Sequence, residues 1–224
     1  MDLPLSATGL TKRFFTGGEA VLAVDGVSIS VAKGEIVAVT GPSGSGKSTL
    51  LSLLAGLERP DAGEVHICGQ SLYALGEDER AALRCQRVGF VFQSFNLIPA
   101  LTLAENAALP FMLVGVDEGV WRPKVLAALD AVGLAHRAQH LPDQASVGEQ
   151  QRAAIARALV TEPPLLFADE PTGSLDSARS AELLRLLEER RDRAGTAILL
   201  VTHDPAVAAR ADRVLVLRDG RIAQ

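Results

Sequence analysis

Residues 36–49 read IVAVTGPSGSGKST, an apolar run that ends at Thr40 and passes straight into a glycine-rich loop. The run has the length and β-branched content of a buried strand, and LLSLLAGL at residues 50–57 has the dense leucine spacing of a helix packed in a core. Between them Gly41, Pro42, Ser43, Gly44, Ser45, Gly46, Lys47 and Ser48, followed by Thr49, fit G-x-x-x-x-G-K-[ST] in the strand-to-helix setting that the pattern requires. The chemistry is phosphate binding. Glycines let successive backbone amides curl around phosphate oxygens above a helix N-terminus. Lys47 adds a full charge at the β and γ phosphates, and Ser48 offers a hydroxyl to Mg²⁺, which takes hard oxygen ligands. A merely flexible glycine loop would have no use for the lysine.

The rest of the composition narrows the field. A chain of 224 residues, 48% hydrophobic and 22% charged, can bury a substantial core without staples. Its net charge of −5 exerts no general pull on nucleic acid or anionic lipid, so any phosphate must be held locally. Cys68 and Cys85 form no CxxC pair and suit reduced thiols. The first residues, MDLPLSATGL, lack the basic start and apolar core of a signal peptide, and no apolar run reaches the roughly 18 residues of a membrane helix. The nearest approach, AALPFMLVGV at residues 107–116, is short and carries Pro110; it reads as core or as a docking surface.

Strand signals occur in VLAVDGVSISV, in IVAVT, and in the shorter EVHICG and VGFVF. From residue 94 to about 160 the chain turns helical, with AENAALPFML, PKVLAALDAVGLA and EQQRAAIARALV. Strands return at PLLFA and TAILLVT, and RVLVLRDGRIA predicts a hairpin closed by Asp219 and Gly220. The expectation is one α/β domain over residues 1–224. Its core comprises residues 1–93 and 161–224, and a helical subdomain is inserted at 94–160.

LLFADEP, residues 165–171, supplies the acids. Four apolar residues lead into Asp169 and Glu170, placing both carboxylates at the carboxyl end of a buried strand, the edge where such sheets bind ligands. Asp169 can reach a Mg²⁺ shell, and Glu170 can polarise an attacking water. Alone, an Asp-Glu pair would be an ordinary solvated strand end; beside a phosphate loop it is catalytic machinery.

Together these motifs resemble those of the nucleotide-binding subunit of ATP-binding cassette (ABC) transporters, over nearly the whole chain. The resemblance implies a P-loop NTPase (RecA-like) core with an N-terminal antiparallel β region and an inserted helical subdomain, binding ATP and Mg²⁺. It assigns Gln93 to sensing the metal and the attacking water while linking to the membrane partner, and His203 to the γ-phosphate. Asp176, in SLD at residues 174–176, belongs to the loop crossing between two subunits. Phe14 stands where the family usually has a tyrosine stacked on adenine; its ring keeps the stacking face, with Phe15 the competing candidate. His136 and His140 have i, i+4 spacing but lack the glutamate of a zinc-protease helix, and His66 reads as a strand residue.

ASVGEQQR, residues 145–152, stands where that family has its signature, usually LSGGQ or LSGGE. Ser146 followed three residues later by Glu149 is a capping box, which predicts Ser146 as the N-cap of a helix whose first turn holds Val147, Gly148 and Glu149. A β-branched residue is unstrained at the first helical position, and Gly148 keeps the backbone open to an incoming phosphate. Ala145 in place of leucine predicts weaker local packing but intact chemistry.

The resemblance further implies two copies meeting head to tail, each ATP lying between the phosphate loop of one and the signature of the other. A separate transmembrane permease would be driven by the cycle, placing the chain on the cytoplasmic face of the inner membrane. VGFVFQSFNLIPALTLAEN with ADEPTGSLD most resembles the LolD and MacB group of lipoprotein-releasing and macrolide-export systems. An FtsE-like regulator of cell-wall enzymes is the alternative, and a soluble non-transport cassette protein a more distant one.

Overall fold

The computed structural model describes residues 3–16, 19–173, 175 and 177–223. In chain order the elements are β1 (Leu5–Thr16), β2 (Glu19–Val31), β3 (Ile36–Thr40), α1 (Lys47–Leu54), β4 (Ala62–Ile67) and β5 (Gln70–Ser71). Then come α2 (Glu77–Arg87), β6 (Val88–Val91), α3 (Leu103–Met112), α4 (Glu118–Ala131) and α5 (Val147–Leu159). The chain closes with β7 (Leu165–Asp169), α6 (Ser177–Ala194), β8 (Ala197–Val201), α7 (Pro205–Ala208), β9 (Arg213–Arg218) and β10 (Arg221–Ala223).

They build two sheets. One is antiparallel, in the order β2-β1-β4-β5; the other runs β10-β9-β3-β8-β7-β6, parallel from β9 to β6 with β10 antiparallel at its edge. Alternation along the parallel strands shows what each face covers. Ile36 and Ala38 of β3, Leu166 and Ala168 of β7, and Ile198 and Leu200 of β8 join one core with residues of α3, α4, α5 and α6. Their neighbours Val37, Val39, Leu165, Phe167, Ala197, Leu199 and Val201 face a second core, formed with the antiparallel sheet and α1. Both faces are therefore buried, which is why these strands read as continuous apolar runs. Phe167 is fully buried on β7, between β8 and β6, where truncation to alanine should cost about 3–5 kcal/mol.

Between residues 94 and 160 the described elements are all helical. The stretch 107–116 divides its residues: Ala107, Ala108 and Phe111 enter the core, while Met112 and Leu113 are exposed. The hairpin expected at the C-terminus is present, with positive φ at both Asp219 and Gly220. β1, by contrast, was not legible in the sequence. Gly9 sits at φ 60 and the register with β2 shifts between Ala7 and Leu10, so the apolar alternation Leu5, Ala7 breaks before Leu10. Neither Cys68 nor Cys85 is in a disulfide.

Candidate functional site

The loop after β3 is shaped by two glycines pressed against neighbouring backbone. A Cβ on Gly41 would lie 2.1 Å from the Leu217 carbonyl oxygen, and one on Gly46 would lie 2.1 Å from that of Ala23. With φ of 148° and 100° these positions admit no other residue without rearrangement, so the loop wedges between β2 and β9 and delivers Lys47 to the first position of α1. The Lys47 ammonium is held across the loop, donating to the carbonyl oxygens of Gly41 and Pro42 at 2.9 Å each. Ser45 is buried beneath, its backbone amide donating to Pro42.

Above the loop lies a cavity of about 550 Å³ lined by Ser43, Gly44, Gly46, Lys47, Ser48 and Thr49. Asp169, Glu170 and His203 line it from the ends of β7 and β8, and Val21 to Ala23 and the Asp219–Gly220 turn complete the wall. Nine of the expected site residues are thus gathered in one place. β7 emerges beside β8, with Asp169 in register with Val201, and the chain then kinks at Glu170, whose φ is 45°. That unusual backbone turns the Glu170 carboxylate toward His203: Oε1 lies 2.8 Å from Nδ1, and the His203 amide donates to Oε2 at 3.4 Å. With the carboxylate ionised, Nδ1 carries the proton of that bond. Burial, then the neighbouring Glu170 charge, push the Asp169 carboxyl above its usual range, against the opposing pull of Lys47. A half-buried carboxylate with no ion pair among the described residues, next to a serine hydroxyl lining the same cavity, is a hard-oxygen donor set suited to a divalent cation.

The other expected residues stand outside this cavity. Gln93 follows β6, exposed, beside the loop after β7: a Cβ on Gly173 would come within 3.1 Å of its Nε2. Phe14 is on β1, opposite Val21 of the cavity wall, half-exposed with the Lys12 ammonium 5.4 Å from its ring centre; Phe15 beside it is 79% exposed. Asp176 lies outside the described residues.

Ser146, Gly148 and Glu149 form the start of α5, where the capping box is complete. Ser146 is the N-cap; the Glu149 amide donates to its Oγ at 3.3 Å, and the Ser146 amide and hydroxyl each donate to Glu149 Oε2 at 2.8 Å. These bonds, the backbone one foremost, hold the Glu149 carboxyl below its usual range. Val147 is 52% exposed, while Ala145 is buried in the helical core. Among the described residues, the atoms nearest to a Cβ on Gly148 belong to the Arg179 side chain, at 3.4 Å or more, a contact that a flexible side chain can relieve.

Sequence reading passed over three polar side chains of the same helix. Gln150 Nε2 donates to the Pro142 and Ala145 carbonyls, Gln151 Nε2 to Pro171, and the Arg157 guanidinium to Phe95 and Asn96. The available signal was polar residues recurring inside an alanine-rich helix.

A phosphate-binding loop between a parallel strand and a helix, faced by two acids from the end of a neighbouring strand, defines a P-loop nucleotide-binding protein. The sequence profile of the ABC transporter family matches residues 24–173, and the chain belongs to that family. It is 47% identical over 218 residues, 97% of its length, to the macrolide export ATP-binding/permease protein MacB of Chlorobium luteolum, of which it spans 32%. It is 43% identical over 220 residues to the lipoprotein-releasing system ATP-binding protein LolD of Xanthomonas axonopodis pv. citri, spanning 98% of this chain and 90% of that one. Among solved structures, a dimeric post-hydrolysis ATP-binding cassette bound to ADP and Pi superposes with a TM-score of 0.91 at 38% identity, covering 98% of this chain and 97% of that one.

Proposed function

We propose that the chain is the ATP-binding, ATP-hydrolysing subunit of a membrane ABC transporter of the LolD and MacB kind, converting ATP and water to ADP and phosphate and working on a separate transmembrane permease. The observation that carries this reading is the single cavity in which Lys47, Ser48, Asp169, Glu170 and His203 converge. No described helix is long and apolar enough to cross a membrane, so attachment to one would come through such a partner.

In this reading Lys47, held over the loop by the Gly41 and Pro42 carbonyls, stands ready to engage the terminal phosphates. Ser48 and Asp169 would hold Mg²⁺, with Gln93 as a further oxygen donor, and the metal would offset phosphate charge when bound. Glu170 accepts a proton from the attacking water. The His203 ring fixes which way its carboxylate points through Nδ1, and Nε2 is the nitrogen that would engage the γ-phosphate. Phe14, or Phe15 beside it, would stack on adenine. The start of α5 acts on the other copy: helix geometry leaves the first-turn amides of Val147 and Gly148 without intrahelical acceptors, and Asp176 joins it at the crossing between subunits. Residues 94–160 would form the subdomain that turns with ATP and passes the motion on.

The test is ATP turnover by the purified chain and its Glu170→Gln variant. The variant should bind ATP, lose about 10²- to 10⁴-fold in rate and accumulate as an ATP-bound dimer. Near-normal turnover would remove Glu170 from the assigned role.

A further inference from the structure

Helix α5 is hydrogen-bonded to the loop after β7, which leaves the catalytic cavity at Glu170, and to the loop after β6, which carries Gln93. Gln151 is 3% exposed, and its Nε2 donates at 2.7 Å to the carbonyl of Pro171, the residue after Glu170. Next to it, Gly173 N donates to the Glu170 carbonyl, Leu175 N donates to the Thr172 carbonyl, and Glu170 itself sits at φ 45°. A displacement of Pro171 therefore reaches the Glu170 backbone directly. Six residues on, Arg157 donates at 2.6 Å to the carbonyls of both Phe95 and Asn96, two consecutive positive-φ residues in the loop that carries Gln93. The far end of this loop is fixed as well. Asn106 of α3 is fully buried; it accepts from the Ile98 amide and donates to the carbonyls of Ile98, Leu101 and Thr102. Six residues turn a helix by about 240° and advance it about 9 Å, so Gln151 and Arg157 grip the two loops from different sides of one rigid rod.

We propose that Gln151 and Arg157 are positioning residues through which α5 transmits engagement of its N-terminus to the Glu170 and Gln93 loops of its own chain. This rests on the reading of Ser146 to Glu149 as a contact to a second copy's nucleotide. Gln151 carries the link to the catalytic carboxylate and Arg157 the link to Gln93. Closure at one nucleotide thereby sets the geometry of the other, because each signature is joined by side-chain bonds to the site behind it. Two loops held by one helix move together, whereas loops tied only to the sheet would respond each to its own ligand.

The experiment uses the full purified chain with Mg·ATP. In the Glu170→Gln background, amide hydrogen exchange should show ATP-dependent protection rising in segments 93–98 and 168–175. Gln151→Met and Gln151→Glu both keep the length of the side chain and remove the donor, so if one fails to fold the other decides. Either should abolish the rise at 168–175 and leave that at 93–98, and Arg157→Met should do the reverse. With Glu170 restored, the Gln151 variants should lose at least tenfold in kcat with ATP affinity within twofold. Protection rising normally in both segments, loss in both from every variant, or kcat within twofold would overturn the proposal. If the Glu170→Gln parent failed to dimerise with ATP, the subunit reading would fall, and this inference with it.

Discussion

Helices α1 and α5 both begin where an anion could be bound, yet their first turns are built in opposite ways. α1 starts from Gly46 in a left-handed conformation, with no side-chain cap and no acidic residue in its first turn, and with Lys47 over the loop. α5 starts from Ser146 with a complete capping box, an ionised Glu149 in its first turn and Arg137 3.3 Å from that carboxylate. A helix start that leaves its donors uncapped and adds a cation is made to hold a phosphate by itself. One whose own side chains satisfy part of it, and which carries a negative charge, is stable without ligand and adds only a modest contact when a second chain brings one. Under the proposed function, the contrast would have ATP held first by the phosphate loop and only later clasped by the signature.

The sharpest way to break the comparison lies at the chemical step. Glu170→Gln should retain the cavity and lose about 10²- to 10⁴-fold in turnover, measured by phosphate release. Next comes Lys47→Ala. Hydrogen bonds involving charged groups contribute about 1.5–3 kcal/mol each, so nucleotide affinity by titration calorimetry should fall at least tenfold. No comparable loss of monomer binding is expected from any change at the start of α5.

Ser146→Ala sharpens the other half. Loss of the cap should cost about 0.5–2 kcal/mol, read as a lower Tm, with ATP-driven dimerisation weakened and monomer affinity for ATP unchanged. Asp169→Asn should raise the Tm of the nucleotide-free chain at pH 7. Burial and Glu170 raise the folded-state pKa of Asp169 above its unfolded value, so folding binds the proton more tightly, and this contribution to stability falls as pH climbs through that window. The gain should therefore shrink toward pH 4, and the added stability from Mg·ATP should drop in the same variant. Val147→Gly should have the smallest effect, since an exposed valine at the first helical position is unstrained. A tenfold or greater rise in ATP turnover with the permease present would show instead that the valine is a lesion.

How far the sequence could be read follows the same physical lines. The parallel strands were legible because burial on both faces leaves unbroken apolar runs, as at residues 36–39 and 197–201. The capping box at Ser146 was legible because it is a local, four-residue device. β1 was hidden by its register shifts, and α6, with Leu183, Leu184 and Leu187 buried along one side, was passed over among the charges of a mostly polar segment. In the site, the phosphate loop and the acids of β7 are short contiguous motifs. The Glu170–His203 contact and the bonds from Gln151 and Arg157 join residues 20 to 62 positions apart, and only the folded topology brings them together.

That the signature acts on another copy's nucleotide can be tested by mixing two damaged chains. Lys47→Ala spoils the phosphate loop and spares the helix start. Gly148→Asp spares the loop and sets a carboxylate beside the first-turn amides, where the nearest described atoms are those of the flexible Arg179 side chain, so the fold should tolerate it. Each variant alone has no intact pair of half-sites, but the mixed dimer has one. Measured by phosphate release, the mixture should hydrolyse ATP several-fold faster than the sum of the two separate chains; a rate no higher than that sum would contradict a shared site.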